Sequence, residues 1–287
     1  MKNGLTVSAI FEASSLNYGE GMGNITSLKH ITRECGEQYT YMSRQALRYN
    51  FIEQLNCDNT PVEANGSGEK KVIQFAPETD IRDYPEIDLF GYMKTTKGNN
   101  ATTRSAVVRL TNAVSLEPFH ADLDFLTNMG LARRCDADNS IAQSELHKSF
   151  YAYTITIDLD RIGVDTNTGT ELDNAEQARR VCSLLQTAEF LYRDIKGRRE
   201  NLAPVFILGG VYARKSPFFE NRLRLEKGKL NVDMIQDVME AIGEETNVGY
   251  LPGTFHNDAE IREKLPCMTI SAFFKKLCAE VEQNYGV

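Results

Sequence analysis

The segment Ser43-Arg44-Gln45-Ala46-Leu47-Arg48 has the residue types and the spacing of an anion site. Leu47, Phe51 and Leu55 recur every four residues behind Ser43, a good N-cap, so the spacing predicts a helix over 44–55. Arg44 and Arg48 then share one face, one turn apart. Both stand in or near the first turn, where the helix dipole disfavours cations, and no Asp or Glu lies between Ser43 and Phe51 to offset them. A phosphate would resolve the conflict, because free N–H groups, the Ser43 hydroxyl and two guanidiniums would all face it. Arginines that are simply solvated, at a cost of a few tenths of a kcal/mol, fit the chemistry equally well.

Other cations extend the first reading. Lys29 precedes the helix, Arg104 stands at a strand start, and Arg214-Lys215 follow Gly209-Gly210 at the end of an apolar strand. That last pair suits a phosphate contact or a solvated strand exit. The Gly-Phe-Gly/Ala-Phe core of RNA-recognition strands is absent, so any RNA would be held by its backbone and not read base by base.

The remaining candidates carry less. Gly19, Gly21 and Gly23 form G-x-G-x-G, some twenty residues before a helix, whereas a dinucleotide fingerprint is G-x-G-x-x-G opening directly into one. A loop that lets backbone approach a ligand fits better. His30, His120, His147 and His256 make no metal-binding pair. Asp158 with Asp160, or Asp136 with Asp138, could bind a metal, but solvated acids at strand ends and turns are far commoner. No P-loop, G-x-S-x-G or paired-carboxylate signature is present. The reading therefore assigns no catalytic residue, metal or cofactor. The six cysteines are scattered without a C-x-x-C, which suits cytosolic thiols better than disulfides or zinc.

Around these residues the pattern predicts a half-buried strand at 5–12, short strands at 72–75 and 87–93, a strand at 105–116 and a clean one at 151–159. An exposed hairpin or insertion at 56–71 is centred on Asn65-Gly66-Ser67-Gly68. Residues 119–148 lack periodicity, which inside a compact domain marks a functional or mobile segment. Asp173 with Glu176 opens a helix whose apolar stripe runs to Ile195, with Gly197 as its stop. Residues 204–212 are apolar on both faces, hence a covered central strand. Two helices follow, one ending at Gly243 and one starting after Ser271. Two helices on a mostly antiparallel sheet suit an α+β fold of the ferredoxin or RNA-recognition (RRM-like) kind.

The chain has 287 residues, 41% hydrophobic and 25% charged, enough for a single large globular domain. Its net charge of -8 argues against a simple nucleic-acid binder, but binding follows local fields and not totals. No apolar run reaches membrane-span length, and the N-terminus lacks a signal-peptide h-region, so a cytoplasmic protein is expected.

Read in order, Ser15-Leu16-Asn17-Tyr18-Gly19, Tyr41-Met42-Ser43-Arg44-Gln45-Ala46-Leu47-Arg48, Glu86-Ile87-Asp88-Leu89-Phe90-Gly91-Tyr92-Met93, Arg104-Ser105-Ala106-Val107-Val108-Arg109, Asp122-Leu123-Asp124-Phe125-Leu126-Thr127-Asn128 and Phe150-Tyr151-Ala152-Tyr153 resemble the backbone subunit of CRISPR Cascade complexes. This is the "Cas seven" family, in its type I-B branch, DevR or Cst-two-like, and the resemblance covers roughly residues 4–215.

The resemblance implies an RRM-like palm over 1–287 with a finger-like insertion at about 56–84, a thumb loop at about 119–148 and a C-terminal helical segment at about 216–287. Copies polymerise along a CRISPR RNA and present it to a target DNA strand, beside other Cascade subunits and away from membranes. The family's helix start falls on Ser43, Gln45, Leu47 and Arg48, and its loop Asn on Asn17. The expected RNA-binding set is thus Asn17, Lys29, Ser43, Arg44, Gln45, Arg48, Arg104, Arg214 and Lys215. Candidates for the thumb side chain that displaces a nucleotide are Leu146, Ile141 and Met129. Type III relatives cut target RNA with a thumb Asp, and Asp122, Asp124, Asp136 and Asp138 lie in that region. A ribonuclease therefore remains one alternative, and a nucleotide-binding regulator using the glycine loop another.

Overall fold

The structure, a computed structural model, describes residues 2–14, 16–19, 21, 23–33, 36–65, 71–95 and 101–287. Ser15, Met22, Cys35 and the Gly66-Ser67-Gly68 centre of the expected hairpin lie outside the described residues.

The central strand, Gly4–Ala13, pairs antiparallel with Ser149–Asp158 on one side and with Phe206–Tyr212 on the other. Leu5, Val7, Ala9 and Phe11 alternate onto one face, where they join Tyr151, Tyr153, Ile155 and Ile157 in the main core. The helices Arg44–Gln54, Asn174–Glu189 and Ile270–Tyr285 cover this face with Leu47, Phe51, Val181, Leu185, Phe273, Phe274 and Leu277. Ile10, Phe206 and Leu208 face the other way, into a second core with Phe219, Ile235, Val248, Tyr250 and Phe255. The result is a mixed α+β fold around one long sheet. No described helix is long and apolar enough to cross a membrane.

Several expected elements differ. Residues 87–93 are not a strand: Pro85–Phe90 is a helix and only Tyr92–Lys94 is extended. Pro85 sits at the first helical turn with φ already suited to it, and Glu86 and Asp88 complement the dipole. Gly91 stops the helix at φ 76°, where a Cβ would overlap the Arg104 carbonyl oxygen. The expected strand at 105–116 is two, Val108–Leu110 and Ala113–Ser115. Leu110 faces Ile155 and Val114 faces Ala152, so four steps on one strand meet three on the other, a bulge at Thr111-Asn112.

Residues 119–148 are not irregular but fold into the hairpin Asp122–Thr127/Ile141–Leu146, joined by the parallel strand Ile25–Thr26. Its outer strand is exposed throughout, so no buried face imposes an alternation on its sequence. The Asn174 helix stops at Glu189, and residues Tyr192–Ile195 turn at Lys196-Gly197 to pair with Arg198–Asn201. Both turn residues have positive φ, as a two-residue hairpin turn requires, and this local signal defeats the helical stripe. The last helix is capped by Thr269, whose hydroxyl accepts from the Ala272 amide at 3.2 Å, and not by Ser271.

The segment 216–287 is not purely helical. Asn247–Tyr250 adds to the main sheet beside Phe206–Tyr212, and Cys267–Met268 extends it further.

Gly209 lies opposite Val7 in the middle of this sheet. A Cβ there would overlap the Thr6 carbonyl oxygen and come within 2.7 Å of Val7 Cα. Its two nearest neighbours are backbone atoms, which cannot swing away as the end of a side chain would. Gly209→Ala is expected to cost about 1–3 kcal/mol in urea unfolding; an unchanged midpoint would show that the two strands can separate freely.

Candidate nucleic-acid interface

Ser43 is extended, at φ -65° and ψ 148°, and caps the Arg44–Gln54 helix. Its Oγ accepts from the Ala46 amide at 3.3 Å and from Asn17 Nδ2 at 3.2 Å. Asn17 is buried, and its carbonyl accepts from the Lys29 amide at 2.9 Å. The Lys29 carbonyl in turn accepts from the Tyr41 amide, just before the cap. Loop, cap and the Lys29 segment are therefore one hydrogen-bonded unit that holds Asn17, Lys29, Ser43, Arg44 and Gln45 together. The Arg44 amide donates to Asn112 Oδ1 at 2.8 Å, inside the bulge. Two of the helix's first N–H groups are thus already satisfied, and what remains open at this end is mainly charge. Arg44 and Gln45 are exposed, Lys29 is half-buried, and neither cation has an ion-pair partner among the described residues.

Arg48 is placed differently. Its guanidinium lies 4.9 Å from the centre of the Phe90 ring and 3.6 Å from Glu86 Oε1, both on the Pro85–Phe90 helix. Burial holds its pKa below the ordinary arginine value, and the neighbouring charge of Arg44 adds to this. The helix therefore does meet an acid, supplied from a distant segment.

Arg104 is corrected outright as a phosphate contact. Its side chain is 3% exposed and bonded to Asp88 Oδ1 at 2.7 Å and to the Arg161 and Val164 carbonyls. No face is left for an external anion. Lys215 Nζ is 2.5 Å from Asp160, while Arg214 is exposed. Both follow Tyr212, opposite Gly4, whereas the Asn17 loop leaves the other end of that strand, roughly 30 Å away. The structure does not bring this pair to the helix start.

The Asp158–Asp160 pair is taken up by cations. Burial would raise the Asp158 carboxyl, but two 2.9 Å hydrogen bonds from Arg109, with Lys215 and Arg161 beside it, hold it below the ordinary range. Among the described residues, no group of three or more His, Cys, Asp or Glu side chains could hold a metal.

On the hairpin, Met129 and Ile141 are largely exposed near the tip, and Leu146 is half-buried at the base, paired with Asp122. Phe125 and Leu126, more exposed still, were missed by the sequence reading. Their adjacency is the signal that was available: two large apolar neighbours in a strand must point to opposite faces, and one sheet of this size cannot cover both. Asn112, Glu86 and Phe90 were missed too, since only the fold brings them to the helix.

A sequence model of the family described as "CRISPR-associated negative auto-regulator DevR/Csa2" matches residues 5–231. The chain belongs to that family. The DevR/Csa2 chain is 25% identical over 174 residues to the CRISPR-associated protein Cas7/Cst2/DevR of Myxococcus xanthus (strain DK1622). The match spans 55% of this chain and 57% of that one, so little more than half of the relative's length is represented. Its fold is similar to a chain of a CRISPR RNA-guided surveillance complex, pre-nicking, at TM-score 0.62 and 11% identity, over 96% of this chain and all of that one. A chain of a second CRISPR RNA-guided surveillance complex gives TM-score 0.61 at 14% identity, over 96% and 98%. At such identities the likeness is one of fold.

Proposed function

We propose that this DevR/Csa2 chain is a non-catalytic backbone subunit of a type I CRISPR surveillance complex in the cytoplasm. It binds guide RNA, lines up with copies of itself and other subunits, and presents the guide to target DNA. The observation that carries the reading is the helix start, where Arg44 and Lys29 flank the Ser43–Asn17 unit without acid partners among the described residues, in a chain of net charge -8. Cations left unneutralised in an acidic protein suit a phosphate backbone, which binds by charge and not by sequence.

The strand order supports the RRM-like palm. Phe206–Tyr212, Gly4–Ala13, Ser149–Asp158 and the bulged Val108–Ser115 pair run antiparallel in that order, and the helices Arg44–Gln54 and Asn174–Glu189 pack on one face. The Asp122–Leu146 hairpin serves as the thumb within 119–148, and Val62–Asn65/Val72–Phe75 as part of the finger within about 56–84.

Head-to-tail assembly on RNA is open-ended, since a heterologous interface that does not close makes filaments. Light scattering of the chain with CRISPR RNAs of increasing length is expected to show mass rising in steps of one subunit. A mass that stays the same at every RNA length would remove the backbone reading.

A further inference from the structure

The hairpin Tyr192–Ile195/Arg198–Asn201 touches the loop that carries Asn17. Arg193 on it donates to the Leu16 carbonyl. At its tip, Lys196 holds φ 47°, a left-handed conformation that side chains with a Cβ adopt only at a cost and that Asn, Asp or Gly would fill more readily. The Lys196 ammonium sits 4.0 Å from the centre of the Tyr18 ring and donates to Ser144 Oγ on the thumb hairpin. No carboxylate lies within ion-pair distance of it among the described residues; the nearest field is that of Asp124, which pairs with Ser144 across the hairpin. Tyr18 is itself held by its hydroxyl, which donates to the Glu145 carbonyl at 3.1 Å.

A lysine resting on a ring and a hydroxyl is only partly satisfied. The ring it rests on, Tyr18, is also one residue from Asn17, the side chain that joins the loop to Ser43. We infer that Lys196 is a third cation of the guide site: an RNA phosphate takes its ammonium from Ser144, which uncovers the Tyr18 ring as a stacking surface. The hairpin tip would thus link guide binding to the thumb. This rests on the RNA-binding reading above, and it adds an RNA contact on a segment that the helix-start motif does not include.

The contact is chemically ordinary. An ammonium–phosphate pair is a charge-assisted hydrogen bond, stronger than the neutral hydroxyl contact it replaces. Each phosphate neutralised on a single strand adds about -0.7 to the slope of log K against log salt.

The test compares Lys196→Gln, Lys196→Arg and Ser144→Ala in the full chain, with a CRISPR RNA titrated at several salt concentrations and Arg44→Ala as reference. Lys196→Gln should weaken binding several-fold and flatten the slope by roughly 0.7. Lys196→Arg should restore the slope, and Ser144→Ala should leave binding unchanged or tighter, because it removes the competitor for the ammonium. If Arg44→Ala flattens the slope and Lys196→Gln does not, this inference fails while the wider reading stands. If neither does, both fail. Weaker RNA binding by Ser144→Ala, with the Lys196→Gln slope unchanged, would make the contact a structural latch and overturn the inference.

Discussion

Asp88→Ala is expected to destabilise the chain by about 3–5 kcal/mol, lowering its thermal midpoint by on the order of 10 °C. Asp88 is fully buried and lies between Arg104 and Arg180, whose side chains are 3% and 2% exposed. The Arg104 contact is 2.7 Å and the Arg180 contact 2.9 Å, and the Gly163 amide donates to both carboxylate oxygens. Arg180 also donates to the carbonyls of Ile81 and Arg82, and Arg104 to those of Arg161 and Val164. One carboxylate thus ties five segments together. Its removal leaves the buried Arg104 guanidinium without an acid partner among the described residues and Arg180 with Glu176 alone, at 2.7 Å, a far larger cost than the loss of an exposed pair.

A paired control makes the result decisive. Asp194 and Arg199 meet at 2.8 Å with side chains 63% and 62% exposed, so Asp194→Ala should barely move the midpoint. Circular dichroism melts of both variants check this. Equal, small shifts would mean that the Asp88 site hydrates when its acid is lost. The cluster also bears on the interface, because the helix that carries Asp88 carries Glu86 and Phe90, the partners of Arg48. Asp88→Ala should therefore loosen Arg48 as well as the fold.

This cluster shows where sequence reading stops. Arg104 at a strand start reads as an available cation, because the acid that claims it is 16 residues away and the second arginine on that acid is 92 residues from it. Charge pairing across such separations leaves no periodic mark. The strands Gly4–Ala13, Ser149–Asp158 and Phe206–Tyr212 and the cap at Ser43 were legible, because alternation, apolar runs and capping are local. Residues 119–148 and 87–93 were misread for the same reason in reverse. The first is a hairpin with no buried face to write a pattern, and in the second Pro85 and Gly91 outweigh the strand-forming residues between them.

At the candidate site, the grouping of Asn17, Ser43 and Arg44 was legible through motif and spacing. The difference between Arg44 and Arg48 was not. Four residues apart on one helix, they meet different surroundings: Arg44 faces outward beside Asn112, and Arg48 turns onto Phe90. A helical wheel assigns faces but not what lies across from them.

That difference sets the second large effect. Replacing Arg44 and Lys29 together with Ala is expected to weaken guide binding roughly 10-fold or more per side chain, at about 1.5 kcal/mol for each charged hydrogen bond lost. The slope of log K against log salt should fall by roughly 1.4, twice the single-strand value of about 0.7. The loss should be the same for any guide sequence, since phosphates carry no base identity. Fold stability should hold or rise slightly, because a cation leaves the positive end of the helix and neither side chain pairs with an acid among the described residues. Arg48→Ala should behave in the opposite way. It leaves Glu86 half-buried without its cation and Phe90 without its cover, so the melting point should drop first. Filter binding across a salt series, run beside thermal melts, separates the two residues. If the Arg44/Lys29 double variant melts early while its salt slope stays at the wild-type value, these cations hold the fold and the guide binds elsewhere.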